Sequence, residues 1–329
     1  MARSHLTLAA LATSAVPELD IVAASAFGSG AHGDFESALL TGRDGRHWII
    51  RIPNSERAEA EQSADLLALR ALSAGIRSRL PFTVSAYAGQ APVSGTRAVV
   101  YEFVYGSKLH LASIPPGEGV ATSIGEAIAA IHSLPTSFIA DAGLPVSNPV
   151  EILRSTVTVL DRSSATGLVP AALLDRWEKA TEESELWQFQ PAVINGNLSA
   201  ESFLSADGAV TGVLGWHGMS VGDPARDLFW ILGSRREFVA ETVFDAYTGA
   251  RAAADRQLAQ RAMLYAELEI AKWLLHGMTM RSTEIVDDAV EMLHGLLDTV
   301  ENDLTQTLGP QTLPAMDVDD VQAMLQRNG

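Results

Sequence analysis

Two amides and a glycine stand out among the residues of this chain that could do chemistry. An apolar run ending at Ile194 is followed by Asn195-Gly196-Asn197-Leu198, then Glu201-Ser202, Asp207-Gly208 and Gly215-Trp216-His217. Gly222-Asp223-Pro224-Ala225-Arg226-Asp227-Leu228 closes the stretch. Asn195 and Asn197 can donate and accept hydrogen bonds, but an amide takes up no proton near neutrality. Asp227 lies near an expected helix start, where an anion is favoured and can bind backbone N–H groups. The nearest titratable groups to Asn197 are Glu201, four positions on, with Asp207 and His217. A solvated loop carboxylate is the ordinary account of Glu201, and a packed or surface histidine that of His217.

A second constellation lies nearer the N-terminus. Gly28-Ser29-Gly30-Ala31-His32-Gly33 matches Gly-x-Gly-x-x-Gly. A dinucleotide fingerprint needs a helix after these glycines. Here Asp34 to Leu40 alternates as a strand does, which fits a glycine loop bent over phosphates with its N–H groups facing the oxygens. Arg51, within Trp48-Ile49-Ile50-Arg51-Ile52-Pro53, can bind two phosphate oxygens at once and stays charged. A carboxylate on the following helix should hold it, and Glu61 and Asp65, one turn apart, are both candidates.

Together these segments resemble the aminoglycoside and macrolide phosphotransferases, a family with a protein-kinase-like fold. Macrolide 2'-phosphotransferases are the nearest in pattern. Trp48 to Pro53, Arg79-Leu80-Pro81-Phe82 and Ala130-Ile131-His132-Ser133-Leu134-Pro135 are further landmarks, so the resemblance runs from about Ile21 to at least Leu228. It implies a bilobal α+β protein that uses ATP or GTP. Backbone groups at Glu102 and Val104 would meet the purine edge. Gly28, Gly30, Gly33, Arg51 and Asp65 would serve the phosphates, and Asp223 and Asp227 would tie down the catalytic loop. The family pattern, however, has His-Gly-Asp-Leu where this chain has Asn195-Gly196-Asn197-Leu198. The resemblance puts Asn197 at the position of the family's base, which typically contributes about 10²–10⁴-fold. Ser202 replaces a loop Asn that helps to hold a metal, and Gly215 replaces the metal-binding Asp. Mg2+ demands oxygen ligands in octahedral array, commonly one or two carboxylates plus phosphates. The resemblance therefore implies a frame without its chemistry, a pseudo-kinase that binds nucleotide, a small molecule or both, with no metal ligands of its own. An active phosphotransferase that uses a substitute such as Glu201 is the alternative, and an interaction or regulatory protein that binds no nucleotide is a third.

The elements needed to position these residues can be read around them. Ile21 to Ala26, Phe35 to Leu40 and His47 to Ile52 are expected as strands, the last two joined at Gly42-Arg43-Asp44-Gly45. Glu56 to Ala74 is expected as a helix, and Phe82 to Tyr87 and Thr96 to Phe103 as strands around a Gly89 to Pro92 turn. The first lobe then covers residues 1–103. The second, 104–329, is mainly helical: Gly119 to Leu134, Leu168 to Glu185, long helices from Arg236 to Thr305, and a last short helix at Asp317 to Arg327.

Composition bounds the partners. The chain has 329 residues, no cysteine and a net charge of −17. That charge repels nucleic acid and anionic membranes and suits a cationic small molecule. Glu267, Glu269, Asp287 and Asp288 are candidate contacts for such a cation or, equally, a solvated face. Arg3 with Leu6 to Val16 faintly mimics a secretory signal, but a first helix ending at Pro17 explains it as well, and cytoplasm is the expected compartment.

Overall fold

A computed structural model describes residues 3–28, 33–251, 255–302 and 308. In chain order its elements begin with α1 (His5–Ala15), β1 (Ile21–Ala26), β2 (Phe35–Gly42), β3 (His47–Pro53), α2 (Glu56–Ala71), α3 (Ala74–Arg77), β4 (Thr83–Val84), β5 (Tyr87–Val93), β6 (Thr96–Glu102) and β7 (Ser107–Lys108). There follow α4 (Val120–His132), α5 (Ser137–Asp141), α6 (Pro149–Ser164), α7 (Ala171–Glu182), β8 (Ala192–Ile194), β9 (Phe203–Ala206), β10 (Ala209–Val213), β11 (Ser220–Gly222), α8 (Val239–Ala250), α9 (Leu258–Met280) and α10 (Thr283–Asn302). Packing divides the chain into two units. One is Met1–Ile152 with Gln190–Ala254, the other Leu153–Phe189 with Asp255–Gly329. The last strand of the first sheet in chain order, β6, ends at Glu102, beside residue 103 where the sequence suggests a lobe boundary.

In the first unit an antiparallel sheet runs in the order β1-β2-β3-β6-β5. Alternation in β3 sends Trp48, Ile50 and Ile52 to one face, where they pack with Leu8 and Ala12 of α1 and with Leu40, Ala98 and Val100. Burying each such large aliphatic side chain is worth roughly 1.5–3 kcal/mol. The same alternation places Arg51 on the opposite face. That face also carries Ile49, whose cross-strand partner is Tyr101, while Arg51 itself faces Ser37 and Val99. A second sheet, β4-β10-β9-β7, and the β8–β11 pair hold the segment containing Asn197 and Gly215.

Three expectations need correcting. The Gly89 to Pro92 segment is not a turn but lies inside β5, and the chain reverses instead at Ser94-Gly95, both with positive φ (39° and 85°). Pro92 is tolerated because β5 is an edge strand, where a missing N–H costs no ladder bond. The expected strand Phe82 to Tyr87 is likewise split, with Thr83–Val84 joining the second sheet beside β10. The helix from Glu56 stops at Ala71, and α6 covers a stretch to which the sequence pattern assigned nothing. The expected Asp317 to Arg327 helix lies outside the described residues.

In the second unit, Glu267 on α9 is 5% exposed and takes hydrogen bonds from Arg176 (2.8 Å) and from the Trp177 indole (2.8 Å), both on α7. Arg261 is fully buried. It meets Asp255 at 2.5 Å, donates to the Leu186 carbonyl at 3.1 Å and lies over the Phe189 ring. Glu269 pairs with Lys272, and Asp288 accepts from the Trp273 indole at 2.7 Å. Three of the four acidic side chains considered for a cation thus have protein partners, and Glu267 is a packing residue.

Candidate functional site

Strand β8 delivers Asn195 to the end of an antiparallel pair with β11, in the register Ile194↔Ser220. The loop that follows is held by one carboxylate. Asp227 accepts from Asn195 N at 2.7 Å through Oδ2 and from Gly196 N at 2.7 Å through Oδ1. Oδ2 also meets His132 Nε2 at 3.1 Å, and His132 Nδ1 meets the Tyr247 hydroxyl at 2.9 Å. Asp227 and Asn195 are fully buried, so these bonds are made in a medium of low polarity where losing a partner is costly. Gly196 has φ +80°, and a Cβ there would collide with the Gly218 carbonyl, so only glycine lets the loop pass. Asp223 caps the 3₁₀ turn Pro224–Asp227, accepting from Ala225 N at 3.0 Å. Asp227 ends that turn, just before the N-cap Leu228 of a second 3₁₀ helix, Phe229–Gly233. It acts by direct hydrogen bonds rather than through a helix dipole.

The Asn195 amide donates to the Gly215 carbonyl at 2.9 Å, and its oxygen accepts from Asn197 N at 3.2 Å. The Asn197 side chain faces solvent, and its Nδ2 donates to His217 Nε2 at 2.9 Å. The same ring nitrogen lies 3.5 Å from Glu61 Oε1. One turn along α2, Asp65 Oδ1 accepts from the backbone N–H of Trp216 at 2.7 Å. The two α2 carboxylates that sequence left undecided therefore meet successive residues, Trp216 and His217. Neither makes an ion pair with Arg51 among the described residues. Arg51 lies over the Phe35 ring, 3.8 Å from its centroid. Burial raises the Asp65 pKa above the ordinary 3.8; the Trp216 N–H and the charges of Arg51 and His217 oppose that rise, and Glu61 adds to it.

The remaining candidates divide by what their polar atoms already do. Ser202 closes a capping box, its hydroxyl accepting from Ser199 N at 3.1 Å. Glu201 is exposed and lies 3.8 Å from Lys108 Nζ. Gly28 has φ +81°, the Gly33 carbonyl accepts from the Asn54 side chain at 2.8 Å, and Gly30 lies outside the described residues. At the strand end, Glu102 N donates to Ala86 O (2.8 Å), its carbonyl accepts from Ser85 Oγ (2.9 Å), and its carboxylate meets Arg46 at 2.5 Å. Val104 is buried, with Phe27, His47, Phe103 and Tyr105 grouped around the same stretch. Sequence reasoning missed the Asn197–His217–Glu61 contacts and the His132–Tyr247 bond. No local signal shows them, because hairpin register and helix placement decide where these side chains point.

A divalent cation does not fit this donor set. The Ser202 hydroxyl is used within its own loop, Gly215 has no side chain, and Asn197 turns an amide N–H to an imidazole. Among the described residues no three His, Asp or Glu side chains cluster as ligands.

Comparison with known proteins bears on family and fold. The family model described as "Phosphotransferase enzyme family" matches residues 24–264. Among solved structures, the chain superposes on the apoenzyme of macrolide 2'-phosphotransferase MphH from Brachybacterium faecium with TM-score 0.72 and 21% identity, covering 88% of this chain and 98% of that one. A macrolide 2'-phosphotransferase type I gives 0.69 and 23%, over 89% and 98%. The GDP and kanamycin complex of APH(2")-IIia gives 0.69 and 19%, over 91% and 100%. These likenesses establish a kinase-like α+β fold. A curated relative, the uncharacterized protein YcbJ of Bacillus subtilis (strain 168), is 24% identical over 204 residues, 59% of this chain and 65% of that protein.

Proposed function

The chain belongs to the phosphotransferase enzyme family, and from that footing we propose that it is a member with impaired transfer chemistry. On this reading it binds a nucleotide, a small molecule or both, without efficient phosphoryl transfer. One observation carries the reading. The residue at the base position is an amide, hydrogen-bonded to His217 at 2.9 Å, while the position of the metal carboxylate is the bare Gly215. Phosphoryl transfer rests almost wholly on positioning and on neutralising charge at the phosphates, so losing both groups removes its main supports. The loop that carried them keeps its anchoring through Asp227.

ATP or GTP is the proposed nucleotide, with Gly28, Gly30, Gly33 and Arg51 at the phosphates, Asp65 behind Arg51 on α2, and backbone groups at Glu102 and Val104 at the purine. Solved relatives in complex with GDP, and one with ADP, support that choice. A cationic small molecule is the proposed second ligand, in keeping with the net charge of −17 and with relatives solved with kanamycin or gentamicin. No helix among the described residues is long and apolar enough to cross a membrane. Cytoplasm is the proposed compartment, where a chain without cysteine loses nothing to reduction.

The test is thermal stability with ATP or GTP, together with turnover on a panel of aminoglycosides and macrolides. Stabilisation without turnover is the expected result. Turnover at rates typical of enzymes, about 1–10³ per second, would refute the reading. A second reading has one observation in its favour: the imidazole of His217, a side chain that commonly serves as a general base, contacts Asn197 at the proposed base position. Under it turnover exists and is lost in His217→Ala. Glu201, opposite Lys108, lends it no support.

A further inference from the structure

The residues around Asn197 have exchanged acceptors for donors. A metal-dependent site presents carboxylate oxygens to a cation, which in turn meets phosphate. Here the Asn197 amide gives one N–H to His217 Nε2 at 2.9 Å and keeps a second N–H facing solvent. With Nε2 accepting, His217 carries its ring N–H on Nδ1. Arg51, stacked under Phe35, has no carboxylate partner among the described residues and so keeps guanidinium donors free. On α2, Glu61 lies 3.5 Å from His217 and Asp65 accepts from Trp216 N at 2.7 Å, while Asp65 also feels the charge of Arg51, which places these groups in one neighbourhood. The Tyr101 hydroxyl, on the Arg51 face of the sheet, is buried with no hydrogen-bond partner among the described residues, although a buried donor of this kind normally has one. Two carboxylates oppose an anion here. Burial raises the Asp65 pKa above its ordinary value and Trp216 N–H occupies one of its oxygens, while Glu61 is turned to the His217 ring.

We propose that Arg51, Asn197 and His217 form a direct oxyanion site that takes the phosphate groups of its ligand without a divalent cation. This rests on the reading of the chain as a nucleotide-binding phosphotransferase relative and adds how the phosphate is held. Hydrogen bonds from a guanidinium to phosphate are among the strong ones, and positions 197 and 215 hold no carboxylate that a metal would have to bridge to phosphate.

The experiment is calorimetric titration of the full chain with inorganic pyrophosphate, ATP and GTP, each in EDTA and in excess Mg2+. Binding in EDTA is expected, with Mg2+ giving no gain. Arg51→Met combined with His217→Gln should weaken it by about tenfold or more while circular dichroism stays unchanged. Asn197→Asp should weaken binding in EDTA and make it respond to Mg2+. Binding of any of the three only with Mg2+ overturns the proposal and leaves the nucleotide reading standing. Pyrophosphate binding in EDTA while ATP and GTP fail supports the oxyanion site and removes the nucleotide reading. Metal-free binding unaltered in the Arg51/His217 variant overturns the assignment of donors, and no binding under either condition overturns both.

Discussion

Asp65 on α2 accepts a hydrogen bond from the backbone N–H of Trp216, 2.7 Å away, in the residue that follows Gly215. This bond, with Glu61 facing His217 one turn earlier, ties α2 to the segment that follows Gly215. The link needs no metal and no side chain at 215.

Asp65 makes stability depend on pH. Its carboxyl titrates above the ordinary 3.8 in the folded chain because of burial, so the folded state binds more protons than the unfolded one across that window. Its contribution is present in full below 3.8 and is lost as pH rises through the folded value. Asp65→Asn keeps an oxygen for Trp216 N–H and cannot titrate. Denaturation measured from pH 3.5 upward should show the wild type losing stability relative to this variant over that interval. A constant difference would contradict the burial argument.

Asp227 should be among the most sensitive positions in the first unit. Asp227→Ala strands the buried Asn195 N–H, the half-buried Gly196 N–H and the His132 ring at once, at a cost of roughly 3–5 kcal/mol. Asp227→Asn retains one acceptor and should cost less. Urea denaturation of the two variants checks the order, and equal, small losses would show that the loop is held by other means.

Gly215→Asp should be tolerated. A Cβ there meets nothing within 4 Å, although φ is +73°. The left-handed conformation costs an L-residue about 1–2 kcal/mol, and Asp is among the residues that visit it most readily. A melting temperature only a few degrees below wild type is expected. Collapse of the fold would mean that the space is needed by the native chain.

Glu267→Ala should destabilise the second unit by roughly 3–5 kcal/mol, since it leaves Arg176 and the Trp177 indole without their shared carboxylate. Hydrogen exchange along α7 and α9 reads this locally. Unchanged protection there would return Glu267 to the surface role suggested by sequence.

Much of the frame could be read from the chain. The alternation Trp48-Ile49-Ile50-Arg51-Ile52 gave both the strand and the face on which Arg51 stands, and Gly45 marked the hairpin before it. Pro92 misled the turn assignment because proline is excluded only from central strands, and strand order is a long-range property. The choice between Glu61 and Asp65 could not be made from spacing. Residues four apart share a helix face, and both carboxylates are used, on successive residues of another segment. His217 read as an ordinary histidine because its reach to Asn197 is fixed by the strand pairing of β8 with β11, not by anything beside it in sequence.

The central claim is that replacement of the base and metal carboxylates silences transfer while the fold persists. The direct measurement follows γ-labelled ATP and GTP with Mg2+ and a panel of macrolides and aminoglycosides, in the wild type and in Asn197→Asp/Gly215→Asp. For the wild type the account predicts no product or free phosphate above the protein-free control, even though the chain is folded. Sustained transfer by the wild type, abolished in His217→Ala or Glu201→Ala, would contradict it.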